Sequence, residues 1–406
     1  MSNPGRYDVA ALRSQFPALK AGAAHFDGPG GSQTPEPVAR GVYEALTCPV
    51  ANRGTVTKAE RHADGIVLRA RAALGDLLDA DPRGIVFGRS MTQLTFDLAR
   101  TLSATWGPED EVVVTRLDHD ANIRPWVLAA EAVGATVRWA DFDPDTAELT
   151  AADVAAVLSR RTRLVAVTGA SNLVGTIPPV AEITALAHEA GALTMVDGVH
   201  LTAHEAVDVS ELGADFFACS PYKFLGPHCG VLAARPELLE ELRPAKLAPS
   251  TDVVPERFEL GTLPYELLAG TTAAVDFLAG LTGSPADRRT ALLEAMAAIR
   301  AHEEPLRVRI EQALAELPGV LVRSRAAHRT PTLLVEFTDR NPADAYRYLA
   351  ERKINAPASS FYALEASRRL GLGDTGSLRI GLSPYTDDTD VDRLLDGLAS
   401  FTALRR

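Results

Sequence analysis

Residues 192–230 read A-L-T-M-V-D-G-V-H-L-T-A-H-E-A-V-D-V-S-E-L-G-A-D-F-F-A-C-S-P-Y-K-F-L-G-P-H-C-G. Two short apolar runs lie in this stretch, Ala192–Val196 and Ala214–Ala218. Each is too short for an ordinary helix and is bounded by glycine or by charge, so each reads as a buried strand. The first run ends on Asp197. The second ends on Cys219 and Ser220, with Lys223 three residues beyond the serine. In a parallel α/β sheet, ligands sit beyond the carboxyl ends of the strands. A carboxylate and an amine from different strands would therefore share one edge.

That pair is the equipment of pyridoxal 5'-phosphate (PLP) chemistry. A lysine amine forms a Schiff base with the cofactor aldehyde, and an acidic residue keeps the pyridine nitrogen protonated so that the ring takes up electrons. Taken singly, Lys223 reads as a surface lysine and Asp197 as a helix-capping aspartate. Their surroundings decide between the readings. V-D-G-V-H (196–200) followed by S-P-Y-K-F-L-G-P (220–227) resembles the class V aminotransferases, in particular the cysteine-desulfurase-like branch. The resemblance runs from about Phe26 to the last helix. It implies the type I fold of PLP-dependent transferases: an α/β architecture with a mostly parallel seven-stranded sheet flanked by helices, plus a smaller α+β C-terminal domain.

Composition narrows the field. The 406 residues are 46% hydrophobic and 23% charged, ordinary for a globular chain with room for two domains. With 53 acidic against 41 basic residues the net charge is −12. This argues against nucleic acid or an anionic membrane as a main partner. No apolar run approaches the roughly 18 residues of a membrane span, and the first residues lack an apolar signal segment, so a cytoplasmic protein is expected. Cys48, Cys219 and Cys229 are too few and too scattered for a disulfide framework or a metal site, and the histidines show no ligand spacing. No metal is expected.

Three parts are expected along the chain: an N-terminal arm (1–24) packing with the small domain, a large cofactor-binding domain (25–264) and a small domain (265–406). The arm shows Val9, Leu12, Phe16 and Leu19 at helical spacing. H-F-D-G-P-G-G-S-Q (25–33) is a glycine-rich turn that suits backbone running close to a ligand. The resemblance places this loop, with Gly30, near the substrate. It places Arg53, ahead of a helix at about 58–78, near the substrate of the same or the partner subunit. The strand at 84–88, a short polar turn and a helix through about Ser103 form the geometry that offers free N–H groups to a phosphate. Ser90, Met91 and Thr92 are assigned there. The strand at 111–115 leads to D-H-D-A-N-I-R-P-W (118–126), in which the resemblance makes His119 the residue stacked on the cofactor ring. Strands at 136–140 and 163–168 flank a helix at about 150–160. The second strand leads to Asn172, to which the resemblance gives a hydrogen bond to the cofactor's phenolic oxygen or to the substrate. Another helix is read at 181–191.

His200 stands where the desulfurases usually carry glutamine, and Tyr222 where they carry histidine. Hydrogen bonding to the phenolic oxygen (His200) and to the phosphate (Ser220, Tyr222) survives these changes. Gly261 and Thr262, in F-E-L-G-T-L-P (258–264), resemble the segment that reaches the partner's phosphate, which implies a homodimer with shared sites. Beyond Tyr265 the pattern is α+β: helices at about 265–281, 286–316 and 341–352, strands at 319–323, 331–337 and 377–383, and a closing helix. Arg379, on the last strand, matches the arginine that grips the substrate α-carboxylate, a group its planar fork fits bidentately.

One departure directs the functional expectation. The loop Ala358–Leu364, where desulfurases carry the cysteine that accepts sulfur, holds no cysteine. A persulfide relay has no evident acceptor. The expected activity is therefore a PLP-dependent lyase that removes a sulfur or other β-substituent from a small L-amino acid, starting when the substrate amine displaces Lys223 from the cofactor. An aminotransferase or an epimerase is the alternative, and a scaffold without turnover is the non-enzyme rival.

Overall fold

The computed structural model describes residues 7–404, so the first six residues of the expected arm lie outside the described part. Among the described residues thirteen strands follow one another: β1 (Ala24–His25), β2 (Ile85–Gly88), β3 (Glu111–Thr115), β4 (Thr136–Ala140), β5 (Thr162–Thr168), β6 (Leu193–Asp197), β7 (Phe216–Cys219), β8 (Gly230–Ala234), β9 (Val320–Val322), β10 (Thr332–Phe337), β11 (Ile354–Asn355), β12 (Ala358–Ser359) and β13 (Ser377–Gly381). Strands β2 to β8 build one sheet in the order β2-β8-β7-β6-β5-β3-β4. Neighbours are parallel except at β8, which runs antiparallel to both β2 and β7. This is the mostly parallel seven-stranded sheet that the resemblance implies.

Alternation along the strands sets two cores. Val112, Val114, Leu164, Ala166, Met195 and Phe216 pack on one face. Val113, Val165, Val167, Val196 and Phe217 pack on the other. Consecutive residues such as Phe216 and Phe217 thus bury on opposite sides, which is why the central strands read as unbroken apolar runs. Helices cover both faces and are bounded by local chemistry. Lys58–Leu78 starts with a capping box between Thr57 and Glu60. Val180–Ala190 ends on Gly191 at φ 86°, a left-handed C-cap. The helix expected at about 150–160 is shorter, Ala151–Ala155. The cause is Ser159, whose amide donates to Thr162 Oγ1 at 3.0 Å and whose hydroxyl donates to Glu111 Oε2 at 2.6 Å, turning the chain into β5.

The second sheet is antiparallel, in the order β12-β13-β10-β9. It encloses a third core that includes Leu333, Val335, Leu378, Ile380, Leu394 and Leu398. The short helix Val9–Ser14 is tied to this region by Arg13, which pairs with Asp387 at 3.0 Å and Asp390 at 2.6 Å. The helix Tyr265–Ala279 packs against Glu36–Thr47 and Lys58–Leu78. Its approach to the first of these is close: a Cβ at Gly270 would overlap Val42, and one at Gly41 would press on Ala273.

Candidate active site

The carboxyl ends of β2, β3, β5, β6 and β7 open into one cavity of about 700 Å³. Asp27, Pro29 and Gly30 from the first glycine-rich turn, Arg379 from β13, and the loop after β12 complete its wall. A Cβ at Gly30 would press on the Asp27 carboxylate, which would have to move to make room for it.

Asp197 closes β6 and is buried. Its Oδ1 accepts the Val199 amide at 3.0 Å. Burial pushes its carboxyl up to about 6, against the lowering effect of that amide and of the Lys223 charge. Lys223 ends the 3₁₀ turn Pro221–Lys223 that follows β7. Burial first, and then the Arg379 cation, push its amine down to about 7, against the pull of Asp27 and Asp197. About half of the amine is therefore unprotonated at neutral pH, against well under 1% for an ordinary lysine. Lys223 Nζ donates to the Pro29 carbonyl and lies 4.8 Å from the centre of the Tyr222 ring. That ring stacks on His228 at 4.7 Å.

Ser90 caps the helix Met91–Ser103 with its hydroxyl, which accepts the Gln93 amide at 3.1 Å. The first-turn amides of Met91 and Thr92 have no acceptor within the helix. β8 comes so close here that a Cβ at Gly230 would collide with Ser90 and Met91. Together with Ser220 and Tyr222 this end of the cavity offers N–H and O–H donors at a positive helix end, which suits a phosphate.

His119 caps the turn Asp120–Asn122. Its Nδ1 accepts the Ala121 amide at 3.0 Å. Burial and the charges of Lys223 and Arg379 push its imidazole down to about 4, so the ring is neutral and its proton sits on Nε2. Behind it lies a network that composition did not single out. Asp118 accepts from the Thr115 hydroxyl and, at 2.7 Å, from Asn122 Nδ2. Asn122 Oδ1 in turn accepts Trp126 Nε1 at 3.2 Å. Burial, reinforced by the Asp197 charge, pushes the Asp118 carboxyl up to about 8, so it is protonated at neutral pH.

Arg379 is almost wholly buried. One terminal nitrogen donates to the Asn172 carbonyl at 3.0 Å and the other to Asp27 Oδ1 at 2.5 Å. Its Nε has no hydrogen-bond partner among the described residues. Asn172 gives its Nδ2 to the Phe361 carbonyl at 3.0 Å, and its Oδ1 has no partner. His200 shares Nε2 with the hydroxyls of Thr330 (2.9 Å) and Thr332 (3.0 Å), while its Nδ1 has none. These three buried, unpaired atoms belong to residues that line the same cavity. Leaving such groups unpaired costs about 1–3 kcal/mol each, so they mark places made for a ligand.

The residues present fit PLP: a phosphate-shaped helix end, a carboxylate and an amine on neighbouring strand ends, a flat neutral ring, and buried donors and acceptors in reserve. Among the described residues no group of three or more His, Cys, Asp or Glu could hold a metal ion, and no helix is long and apolar enough to cross a membrane. Three expected residues are not brought into the cavity by this chain. Arg53 pairs with Asp64 at 2.8 Å and Glu256 at 2.9 Å, and Gly261 and Thr262 are exposed. Cys219 and Cys229 are buried outside the cavity lining, and burial raises both thiols, Cys229 to about 11. Cys48 also lies outside the lining, with its Sγ 3.1 Å from His62.

The sequence reading passed over Asp27, Asp118, Phe361 and Tyr362. The signals available were a carboxylate inside a glycine turn, the i, i+4, i+8 spacing of Asp118, Asn122 and Trp126, and two adjacent aromatics in a loop of small residues.

Residues 24–394 match the family model described as aminotransferase class-V. An uncharacterized protein of Mycobacterium tuberculosis is 33% identical over 97% of this chain and 99% of its own length. A cysteine desulfurase of Dickeya dadantii is 31% identical over 97% of this chain and 96% of its own. The crystal structure of the cysteine desulfurase CsdA (S-sulfonic acid) from Escherichia coli superposes with a TM-score of 0.86 at 28% identity, covering 97% of this chain and 98% of that one.

Proposed function

Because the chain belongs to the class-V aminotransferase family, whose members are PLP-dependent enzymes, we propose that it is a lyase removing a β-substituent from a small L-amino acid and releasing the product directly. PLP, when bound, supplies an electron sink for bond breaking at the substrate α-carbon. The chain supplies the rest. The amides of Met91 and Thr92, with Ser90, Ser220 and Tyr222, hold the phosphate. The Asp197 carboxylate, charged above about pH 6, would hold the proton on the ring nitrogen. His119, whose neutral ring keeps its proton on Nε2, would stack on the cofactor ring. His200 Nδ1 is free to donate to the phenolic oxygen.

Arg379 grips the α-carboxylate. Its unpaired Nε supports this role, and Asn172 Oδ1 stands by to accept from the substrate amine. The Lys223 amine, once displaced, takes the proton from the α-carbon, and a depressed basicity near 7 suits that task at neutral pH. Loss of the β-substituent completes the reaction. A thiol acceptor is the element that a persulfide relay would need, and no cysteine lines the cavity.

The observation that carries the proposal is the convergence of Lys223, Asp197 and Arg379 on one cavity that contains no thiol. Incubation of the holoprotein with L-cysteine and with thioethers of cysteine tests it. Thiol or sulfide appearing with pyruvate and ammonia, without an added acceptor, is the expected result. Keto acid formed only when an acceptor keto acid is present would instead make the enzyme an aminotransferase. We also propose a homodimer. Gly261 and Thr262 are exposed, and so are the apolar residues Leu260 beside them and Tyr43, Leu46 and Val56 on either side of Arg53 in the sequence, which a second copy would cover. A sedimentation mass of one chain would oppose this.

A further inference from the structure

The cavity has a roof that the reaction above does not use. After β12 the chain places Phe361 and Tyr362 consecutively in the left-handed region, at φ 52° and 58°. Two bulky residues in that conformation are strained, and such strain persists only where the surroundings hold it. Here four contacts do so. The Phe361 carbonyl accepts Asn172 Nδ2 at 3.0 Å, and the Tyr362 carbonyl accepts the Asp120 amide at 2.7 Å. The Phe361 ring covers the Arg379 guanidinium, 3.6 Å from carbon to ring centre. The Tyr362 ring tilts over His119 at 5.5 Å. Each ring is thus anchored to a group assigned to the substrate or to the cofactor.

Tyr362 lines the cavity and is nevertheless 76% exposed, a flat apolar surface left uncovered at the mouth. Pro29, Phe96 and Ala121 line the same cavity. The charged residues of its outer wall, Asp120 and Arg124, pair with each other at 3.2 Å and offer no net charge to a substituent.

We propose that the loop Ser359–Tyr362 is the substrate selector of this enzyme, and that Tyr362 favours an amino acid whose β-carbon carries a planar, apolar group over cysteine or alanine. Phe361 has the companion role of a positioning residue. It fixes the plane of Arg379, so the α-carboxylate meets a guanidinium already oriented, while the β-substituent leans on the Tyr362 ring. In the elimination this predicts, for substrates whose planar group is joined to Cβ through a leaving atom such as sulfur, the α-proton leaves to Lys223 and the Cβ–sulfur bond breaks with its electron pair on the departing thiolate. Protonation of that group and uptake of one water give the free substituent, pyruvate and ammonia. The proposal rests on the lyase reading only for this last step; the selection itself is a property of binding.

The test separates the two. L-phenylalanine and L-alanine carry no leaving group, so their dissociation constants can be read on the holoenzyme from the change in cofactor absorbance. Phenylalanine is expected to bind more tightly than alanine by roughly threefold to tenfold, the range of an aromatic pair. Tyr362→Ala should bring the ratio close to one, and Tyr362→Phe should keep it. Phe361→Ala should weaken both amino acids together and leave their ratio unchanged. Equal binding in the wild type, or a ratio that survives Tyr362→Ala, overturns the selector. S-phenyl-L-cysteine and S-methyl-L-cysteine then report on the reaction. If neither yields pyruvate while the binding ratio holds, the lyase reading fails and the selector stands.

Discussion

The floor and the roof of the cavity are built in opposite ways. The floor consists of strand ends and a helix start: Asp197 at the end of β6, Lys223 one turn beyond β7, Ser90 capping a helix after β2. Its backbone is regular, and its position follows from the order of a parallel sheet. The roof is a short loop with two residues in left-handed backbone, held by contacts to groups far away in sequence. Floors of this kind give a family its cofactor. Roofs give a single enzyme its substrate, because a loop changes without disturbing the sheet below.

Breaking the floor should have the largest effect. Lys223→Ala is expected to lower turnover by about 10³-fold or more and to remove the visible band of lysine-bound cofactor; activity retained by this variant would refute the assignment. Arg379→Ala sits at the junction of floor and roof. It should raise KM for substrates bearing an α-carboxylate by roughly 10- to 100-fold, the worth of a charged hydrogen-bonded pair, and leave PLP affinity nearly unchanged. Equal losses in both would place the arginine in general folding.

The pH dependence of cofactor capture gives a smaller effect. Capture needs the unprotonated Lys223 amine, whose basicity is lowered to about 7. The rate at which apoprotein takes up PLP should therefore fall about tenfold per pH unit below 7 and level off above it. Stopped-flow absorbance measures this, and a rate still rising through pH 9 would show an ordinary lysine. Stability follows the same sign. The folded apoprotein holds Lys223 less protonated than the unfolded chain does between about pH 7 and 10, so this residue's contribution to stability rises with pH across that window. Replacement of Cys48, Cys219 and Cys229 together should change turnover least of all. Lost turnover with intact circular dichroism would restore a persulfide route.

The sequence made the floor legible for a physical reason. Central strands buried on both faces are continuous apolar runs, and five of the seven strands of the large sheet stand out that way, while the edge strand β4, T-V-R-W-A, alternates instead. β8, G-V-L-A-A, is an equally apolar run that was passed over, and its antiparallel direction emerges only from its pairing with β2 and β7. The helix Glu36–Thr47 carries a proline and Gly41, both poor helix formers, and Gly41 is there for its close approach to Ala273. Arg379 could be read from its strand, but its ion pair with Asp27 spans 352 residues and leaves no local trace. The roof was legible only as a loop without cysteine. Nothing in the propensities of Phe361 and Tyr362 announces left-handed backbone, which comes from the tertiary contacts that hold it.

The claim beneath all of this is a covalent link between one amine and one aldehyde. Borohydride reduction of the holoprotein, followed by digestion and mass spectrometry, traps that link as a stable amine. The account predicts a pyridoxyl-phosphate adduct on the peptide containing Lys223 and on no other. An adduct on a different lysine, or none in a protein that still turns over its substrate, would contradict it.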